Sequence, residues 1–373
     1  MGAAQRVLFV IADMECGGAQ QVVSKLLDGM LTKNFNLGLV TLSDPVSDFF
    51  QVNHIIERYP LRLVNESSGI IGKFGSNLIR IYRIREAMKA FKPDIVVSFI
   101  APTNCLTILA SAGLNVRVVI SERNDPRMQS FGRTWDRLRR ALYRFADIVT
   151  ANSQGAIKGL SDYVSIEKLQ YLPNLTRYSV DPEHVNSEIK RHHYFLSVAR
   201  LHWQKNHEVT IQAFSKVANA LPGWKLVFVG AGETMHHLKD LVSKLNLKDR
   251  IVFEGQLDDP AEHYRKAGLF IMVSKFEGQP NTLLEAMVFG LPVIASSAIP
   301  DIKSLVVEPH SGLECPVNDV QALADAMLKL AKDDNLRRKL GVNGRLFMEN
   351  YDEQEILERW LKCITQPTLF VDS

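Results

Sequence analysis

The chain has 373 residues, of which 46% are hydrophobic and 23% are charged, a composition typical of a globular protein with two domains. Its longest apolar runs are about eight residues, far short of the about 20 that cross a bilayer, so no transmembrane helix is expected. The net charge of +3 is unevenly divided, because residues 1–180 hold 22 Lys and Arg against 15 Asp and Glu, and residues 181–373 hold 22 against 26. A basic half at +7 and an acidic half at −4 indicate different partners for the two halves.

The N-terminal stretch MGAAQRVLFVIADMECGG has a short apolar run that Asp13 and Glu15 interrupt, with no small-residue cleavage site after it. It therefore predicts a buried first strand and not a secretion signal. The four cysteines are far apart and form no CxxC pair, which favours unpaired thiols in a reducing compartment, here the cytoplasm. They are Cys16, Cys105, Cys315 and Cys363.

Both halves alternate β-branched, strand-like segments with helix-like segments. In the first half the predicted strands are 6–12, 37–42, 94–100, 117–121 and 147–153, with helices at 19–33 and 79–91. In the second half the predicted strands are 194–201, 225–232, 251–255, 269–274 and 292–296, with helices at 207–220, 234–245, 260–267 and 282–289. This order predicts an α/β protein with two doubly wound parallel sheets, in which ligands bind at the carboxyl ends of the strands.

The two predicted domains span residues 1–180 and 190–348, joined by a polar segment without periodicity near 175–192. The tail repeats apolar residues at helical spacing, which predicts an amphipathic terminal helix over 350–366. These apolar residues are Ile356, Leu357, Trp360, Leu361 and Ile364.

Several loops at predicted strand ends carry glycines or cations. MECGGAQ follows the first strand, and Gly17 and Gly18 there favour either close approach of an anion to a helix N-terminus or a tight strand–helix turn. VGAGE, with Gly230 and Gly232, is a similar junction in the second half. The GxGxxG fingerprint is absent, so a Rossmann dehydrogenase is disfavoured.

The loop in SVARLHWQKN places Arg200 and Lys205 after the first strand of the second domain. Two cations there can hold a diphosphate by charge-assisted hydrogen bonds, although a solvated charged loop has the same composition.

The stretch FEGQPNTLLEAMVFGLPVIAS places Glu277 in a turn at a strand end and Glu285 among apolar residues. Asn281 is a plausible helix cap, and Glu285 is expected in the first helical turn, where a carboxylate complements the dipole. Such a partly buried carboxylate needs a partner, which ribose hydroxyls could provide. The alternative is a capping glutamate of an ordinary helix.

The whole stretch SKFEGQPNTLLEAMVFGLPVIAS resembles the signature of retaining glycosyltransferases of family 4, including bacterial enzymes that extend lipid-linked or surface polysaccharides. The resemblance continues, in the family's order, through MECGGAQ, ANSQG, YLPN, SVARLHWQKN and VGAGE. It implies a GT-B fold, in which two Rossmann-like domains face each other across a cleft. The N-terminal domain would bind the acceptor, and the C-terminal domain a nucleotide sugar, UDP-linked in our prediction. The terminal helix would return to the first domain.

The resemblance also implies roles for single residues. Arg200 and Lys205 would neutralise the donor diphosphate, and Glu285 would bind the ribose. Glu277, as a catalytic residue, would position the transferred sugar together with the backbone of the turn after it. Gly17 and Gly18 would approach phosphate and acceptor, and no metal cofactor would be required. The turn consists of Gly278, Gln279, Pro280 and Asn281, and Gly230 and Gly232 belong to the donor loops.

One motif departs from the family pattern. Many members have a histidine near the sugar and acceptor after the fourth strand of the first domain, where this chain has VVISERNDP. Glu122, Arg123 and Asn124 are the candidates for its place.

Two segments of the first half are basic and apolar, 70–92 and 131–149. They favour peripheral contact with the anionic inner face of the cell membrane, or with the pyrophosphate of a lipid-linked acceptor, over a plain solvated helix face. No recognition motif accompanies the charge, so no nucleic acid is expected. The basic residues are Lys73, Arg80, Arg83, Arg85, Lys89 and Lys92, followed by Arg133, Arg137, Arg139, Arg140 and Arg144.

The sequence thus predicts a hexosyl- or N-acetylhexosaminyltransferase acting on a glycan or lipid-linked glycan. Two alternatives stay open. One is a nucleotide-sugar epimerase or hydrolase of the same fold, and the other is a non-enzymatic nucleotide-sugar-binding protein. Fold likeness alone does not separate them.

Overall fold

A computed structural model describes residues 4–63, 70–180, 191–299 and 301–366, without the side chains of 70–74. The chain forms two compact units, unit 1 of Met1–Leu175 with Gln354–Ser373 and unit 2 of Thr176–Glu353. Thr176 and Glu353, where unit 2 begins and ends, are tied by a 3.1 Å hydrogen bond between their side chains. Part of the expected joining segment, 181–190, lies outside the described residues.

Unit 1 contains a seven-stranded parallel sheet in the order β3-β2-β1-β4-β5-β6-β7. Its strands are β1 Gln5–Ile11, β2 Phe35–Thr41, β3 Glu57–Pro60, β4 Ile95–Phe99, β5 Arg117–Glu122, β6 Ile148–Ala151 and β7 Leu169–Tyr171. The helices between them are α1 Gly18–Leu31, α2 Ile70–Phe91, α3 Ala101–Ser111, α4 Arg133–Leu142 and α5 Gln154–Leu160. The central strand β4, IVVSF, is buried along its whole length, as expected for a strand covered by helices on both faces.

Unit 2 contains a six-stranded parallel sheet in the order β10-β9-β8-β11-β12-β13. Its strands are β8 Tyr194–Val198, β9 Lys225–Val229, β10 Ile251–Gly255, β11 Leu269–Met272, β12 Val293–Ser296 and β13 Gly312–Cys315. Its helices are α6 His207–Val217, α7 Met235–Lys244, α8 Ala261–Lys266, α9 Asn281–Val288, α10 Val320–Lys332 and α11 Asp334–Glu349. The predicted fold class, two Rossmann-like α/β domains, is confirmed.

The strands that the sequence did not predict all lie at sheet edges. They are β3, β7 and β13, which are short and only partly buried. Helix α2 begins at Ile70, nine residues before its predicted start at 79. Gly72 and Gly75 interrupt the helical pattern there, and glycine lowers helix propensity.

The terminal helix α12, Glu353–Thr365, packs on unit 1. Trp360 is fully buried, its ring lies 6.0 Å from that of Phe99, and its indole N–H donates to the carbonyl of Pro173 at 3.4 Å. Leu357 covers Gly29 of α1, where an added Cβ would lie 2.6 Å from a Leu357 methyl group. The C-terminal segment is therefore part of the core of unit 1.

All four cysteines are free thiols. Among the described residues no helix is both long and apolar enough to span a membrane.

Replacing Trp360 by alanine should lower the free energy of unfolding by about 3–5 kcal/mol, because it removes a fully buried aromatic side chain. Urea unfolding monitored by circular dichroism measures this loss. Tyr82→Ala, at an exposed position of α2 in the same unit, is the control and should change stability by less than about 0.5 kcal/mol. Equal stability of the two variants would contradict the placement of α12.

Candidate active site

In unit 2 the loop after β8 folds into a short 3₁₀ turn, Trp203–Lys205. His202 caps this turn, since its Nδ1 accepts a hydrogen bond from the backbone N–H of Gln204 at 3.3 Å. Asn206 follows in a left-handed conformation with φ of 60°. Its side-chain amide donates to the carbonyl of Val273 at 3.2 Å, which ties the turn to the segment after β11.

Two further hydrogen bonds join the turn to the segment before α9. The side-chain amide of Gln204 donates to the carbonyl of Phe276, and the N–H of Lys275 donates to the carbonyl of Gln204, both at 2.8 Å. These bonds bring Lys205 Nζ to 2.5 Å from Glu277 Oε1, with side chains only 17% and 9% exposed. The sequence assigned the two residues to different parts of a substrate, and in this structure they form an ion pair.

Arg200 is exposed, and its side chain makes no hydrogen bond or ion pair with any residue that the structure describes. Its carbonyl accepts a hydrogen bond from Nε2 of the buried His207 at 3.1 Å. Desolvation by burial lowers the pKa of His207 to about 4, and Lys205 adds to this effect. The neutral imidazole therefore fixes the backbone from which the Arg200 guanidinium extends into solvent.

Gly230 and Gly232 lie against the loop after β8. An added Cβ at Gly230 would lie 2.0 Å from the carbonyl oxygen of Ala199, and one at Gly232 would lie 2.4 Å from that of Leu201. Both glycines also have positive φ angles, 142° and 158°. The close approach of the two loops requires glycine at these positions, and nothing in these contacts assigns them to a ligand.

The turn from Glu277 to Asn281 is buried and leads into α9. Pro280, not Asn281, occupies the cap position, and no side chain caps the helix. Tyr351 O–H donates to Gln279 Oε1 at 3.3 Å. Gly278 is also buried in this turn.

Glu285 is the fifth residue of α9, so its expected position in the first turn is wrong. The cause is that the helix begins at Asn281, one residue earlier than predicted, and places Glu285 beyond the reach of the N-terminal dipole. Glu285 is buried and accepts a hydrogen bond from Tyr264 O–H at 2.9 Å. Burial and the neighbouring carboxylate raise the pKa of Tyr264 well above its usual value, so the phenol remains a donor.

Aromatic rings surround the Tyr264–Glu285 pair. The ring of Phe289 stacks on that of Tyr264 at 5.4 Å, and the ring of Tyr178 lies 5.0 Å from Phe289. Tyr178 O–H donates in turn to the side chain of Asp259 in the loop after β10. Sequence reasoning missed Gln204, His207 and Tyr264, since nothing in their local patterns distinguishes them from ordinary loop and helix residues.

In unit 1, Gly17 precedes α1 with φ of −168°, an extended conformation open to any residue. An added Cβ would meet only the end of the flexible Gln20 side chain, so the backbone does not require glycine here. Gly18 is the first residue of the helix. The backbone amides at this 14-residue helix N-terminus are suitable donors for an anion.

Of the three candidates for the family histidine, Glu122 is enclosed in the interior. It accepts from Tyr143 O–H at 2.9 Å and from the backbone N–H of Arg123 at 3.2 Å, and Arg139 Nη1 lies 3.7 Å away. Burial raises the pKa of Glu122, and Arg139 and the hydrogen bonds partly oppose this.

Arg123 is also buried and donates to Ser121 Oγ at 3.2 Å and to the side-chain oxygen of Asn174. Asn124 is the least buried of the three, and its amide donates to Gln129 Oε1 at 2.8 Å. Asn124 is therefore the most accessible of the three, whereas the side chains of Glu122 and Arg123 are used inside unit 1.

The basic segments of unit 1 divide into buried and exposed residues. Arg139, expected on the basic surface, is buried, because it lies on the side of α4 that faces Glu122 at the end of β5. Arg80 and Arg85 donate to carbonyls of unit 1, those of Leu63 and Ala110. The side chain of Lys73 lies outside the described residues. The exposed residues of the second segment are Arg133, Arg137, Arg140 and Arg144.

Family models match both halves of the chain, Glycosyltransferase Family 4 over residues 16–176 and Glycosyl transferases group 1 over residues 181–347. A Campylobacter jejuni relative, GalNAc-alpha-(1->4)-GalNAc-alpha-(1->3)-diNAcBac-PP-undecaprenol alpha-1,4-N-acetyl-D-galactosaminyltransferase, is 26% identical over 97% of this chain and 98% of its own length. A second C. jejuni relative is 24% identical over 96% of this chain and 99% of its own length. Its name is N-acetylgalactosamine-N,N'-diacetylbacillosaminyl-diphospho-undecaprenol 4-alpha-N-acetylgalactosaminyltransferase.

Among solved structures, Anabaena HepE in complex with UDP and glucose has a TM-score of 0.81 at 18% identity, covering 96% of this chain and 99% of that one. Sucrose-phosphate synthase from Thermosynechococcus elongatus has a TM-score of 0.80 at 19% identity, covering 96% and 98%. These similarities confirm the GT-B fold that the sequence resemblance implied.

The buried His207 should make the stability of the chain depend on pH. Its folded-state pKa of about 4 lies below the usual 6.5, so its contribution is complete above pH 6.5 and decreases as the pH falls toward 4. Between pH 7 and pH 5 the free energy of unfolding should fall by about 2 kcal/mol through this residue. Urea unfolding at the two pH values measures the difference.

His207→Gln keeps a donor for the Arg200 carbonyl but does not titrate, so this part of the pH dependence should disappear. The control is His236→Gln, which removes an exposed histidine whose ion pair with Asp240 lies on the surface, so stability should change by less than about 1 kcal/mol. A variant at 207 with the wild-type pH dependence would show that His207 is not held neutral.

Proposed function

Since the chain belongs to the glycosyltransferases, with a family 4 half and a group 1 half, we propose that it is a retaining, metal-independent hexosyl- or N-acetylhexosaminyltransferase. Its donor would be a UDP-sugar, and its acceptor a saccharide linked to polyprenyl diphosphate or another lipid. The observation that carries this proposal is the Lys205–Glu277 pair at the carboxyl ends of β8 and β11, beside the exposed Arg200.

The pair suits a site that receives a diphosphate. A largely buried ammonium needs a compensating charge, which Glu277 provides while no donor is bound. A bound diphosphate would give Lys205 new partners, and the Glu277 carboxylate could then accept a hydroxyl of the transferred sugar. Arg200, which has no competing ion pair among the described residues, would take further phosphate oxygens.

These cations would act on the leaving group. Breaking the bond between sugar and diphosphate increases the negative charge on the departing UDP, and fixed cations that face this charge stabilise the transition state. The backbone of the loop after β8 is already held by hydrogen bonds of Gln204, Asn206 and His207 before the donor arrives. Little reorganisation of the loop is therefore required. Two positioned side chains would thereby supply the charge that a metal ion supplies elsewhere, which is our reason for proposing metal independence.

Glu285 would bind the ribose of the donor. Tyr264 donates to its Oε2, which orients the carboxylate inside an aromatic environment. A carboxylate held in this way can accept hydrogen bonds from two neighbouring hydroxyls.

The acceptor assignment is supported by the two C. jejuni relatives, whose names place undecaprenyl-linked saccharides as their substrates. In unit 1, the N-terminus of α1 at Gly17 and Gly18 and the side chain of Asn124 are suitable for phosphate or hydroxyl groups of such an acceptor. We place the protein in the cytoplasm, in peripheral contact with the inner face of the membrane.

The proposal is tested by measuring binding and slow hydrolysis of a panel of UDP-, GDP- and ADP-sugars, with and without EDTA. One UDP-sugar should bind, and its turnover should resist EDTA. Lys205→Ala and Arg200→Ala should each weaken donor binding at least tenfold, because each removes a charge-assisted hydrogen bond worth about 1.5–3 kcal/mol. Glu277→Ala should reduce turnover more than binding.

Lys275→Ala is the control, a cation in the same region that is not assigned to the diphosphate, and it should bind the donor within about threefold of wild type. Loss of turnover in EDTA would contradict metal independence. Binding with efficient hydrolysis and no transfer to any saccharide would favour the hydrolase alternative. No binding of any nucleotide sugar would overturn the proposed site.

Membrane contact would use the exposed arginines of α4 and the residues after it. Arg133, Arg137, Arg140 and Arg144 recur at helical spacing on the surface, and Phe145 beside them is 62% exposed. Lys168 donates to the carbonyl of Arg144 at 2.8 Å, which brings the exposed Ile166 to the same end of the helix. Cations flanked by exposed apolar side chains are typical of a surface that rests on an anionic leaflet.

Replacing Arg133, Arg137 and Arg140 by alanine should lower the affinity for phosphatidylglycerol vesicles roughly a hundredfold, because each cation near an anionic surface contributes about 1 kcal/mol. Vesicle sedimentation measures the binding. The control is the triple alanine variant of Lys239, Lys244 and Lys248, which removes the same charge from an exposed surface of unit 2. Equal binding of both variants would mean that the α4 surface does not contact lipid.

A further inference from the structure

Trp203 is the first residue of the 3₁₀ turn that carries Lys205, and it is 53% exposed. A single exposed tryptophan needs no explanation by itself. Its position is what distinguishes it, because it is two residues from Lys205, and its ring contacts that of Phe276, the neighbour of Glu277, at 5.7 Å. The indole therefore lies on the turn that carries Lys205, and it is more exposed than either member of the Lys205–Glu277 pair.

The surroundings hold the indole in place. The backbone around it is fixed by the hydrogen bonds of Gln204 to Phe276 and of Lys275 to Gln204. The ring of His202 lies 5.4 Å from the indole, and the ammonium of Lys275 lies 5.5 Å from its centroid. A supported aromatic ring that remains half open can bind a ligand without first being ordered, which lowers the entropic cost of binding.

An open indole face beside a sugar-transfer site is suited to one kind of group. A pyranose ring carries C–H bonds on its faces and hydroxyls around its rim, so it can cover an aromatic ring with apolar surface while its hydroxyls remain hydrated. The indole N–H, which has no partner among the described residues, can donate to one such hydroxyl.

The exposure of Trp203 indicates whether the pyranose belongs to the donor or to the acceptor. The donor would bind at Lys205 and Glu277, whose side chains are only 17% and 9% exposed. Trp203 is 53% exposed, so its ring is open to a second sugar after the donor has bound. In the proposed reaction that second sugar belongs to the acceptor.

We propose that Trp203 is a stacking platform for a pyranose ring of the acceptor glycan, and thus a specificity-determining residue of the transfer reaction. This inference rests on the proposed function. It assigns to unit 2 a contact with the acceptor that neither the cations nor the glutamates of the site provide.

The test compares wild type with Trp203→Ala and Trp203→Phe in the transfer assay, with the lipid-linked saccharide selected by activity as acceptor. Trp203→Ala should raise the acceptor KM roughly tenfold, the scale of stacking on an aromatic side chain, and leave the donor Kd and donor hydrolysis within about twofold. Trp203→Phe keeps an aromatic face and should recover most of the loss. Leu346→Ala, an exposed apolar position of the same unit, is the control and should have wild-type kinetics.

A second measurement does not require activity. N-acetylgalactosamine and its α-1,4-linked disaccharide, titrated at millimolar concentration, should change the tryptophan fluorescence of wild type but not that of Trp203→Phe. This change is expected with or without bound UDP, so it distinguishes a failed platform from a failed donor site.

An unchanged acceptor KM in Trp203→Ala, together with no fluorescence response, would overturn the proposal. A rise in the donor Kd with an unchanged acceptor KM would also overturn it, since Trp203 would then contact the donor. If no nucleotide sugar binds at all, the proposed function fails, and a fluorescence response to the saccharides would still support the platform.

Discussion

The candidate site depends on the attachment of the loop after β8 to the segment after β11. Lys205 and Glu277 are 72 positions apart in the sequence, and they meet because Gln204 and Asn206 bind the backbone of the other segment. Removing two charges from water is unfavourable unless each has a close partner. The backbone hydrogen bonds supply the geometry that the ion pair requires, and the ion pair in turn keeps a cation at the carboxyl edge of the sheet.

The same loop is supported from its other side. Gly230 and Gly232 allow the loop after β9 to lie against Ala199 and Leu201. The buried His207 donates a hydrogen bond to the carbonyl of Arg200. These supports are neutral groups, because burial keeps the imidazole of His207 uncharged. An acidic support would compete for the guanidinium of Arg200 with the diphosphate of the proposed donor. The arrangement therefore leaves the charge of Arg200 exposed, whereas that of Lys205 is compensated by Glu277.

The sequence predicted the part of the fold that depends on local pattern. The central strands are continuous apolar segments, and their alternation with helices was sufficient to predict two parallel sheets. The strands it missed are edge strands, where polar residues and short length remove the pattern. The motif at 276–296 located Glu277 and Glu285, whereas Tyr264, the partner of Glu285, comes from another helix and could not be paired with it without coordinates.

The sequence pattern of charges also could not distinguish the buried arginine of α4 from the exposed ones. Arg139 and Arg140 are adjacent in the sequence, but one is buried against Glu122 and the other is exposed. The buried one has a consequence for the proposed acceptor side, because Glu122 also accepts the N–H of Arg123. On its buried face, helix α4 carries Arg139, which compensates the carboxylate of Glu122 next to Arg123. On its exposed face, it carries the arginines proposed to contact the membrane. If the exposed face of α4 rests on the lipid surface, Arg139 and Glu122 attach the loop that begins at Arg123 to the same helix. The distance between that loop and the membrane would then be set by α4.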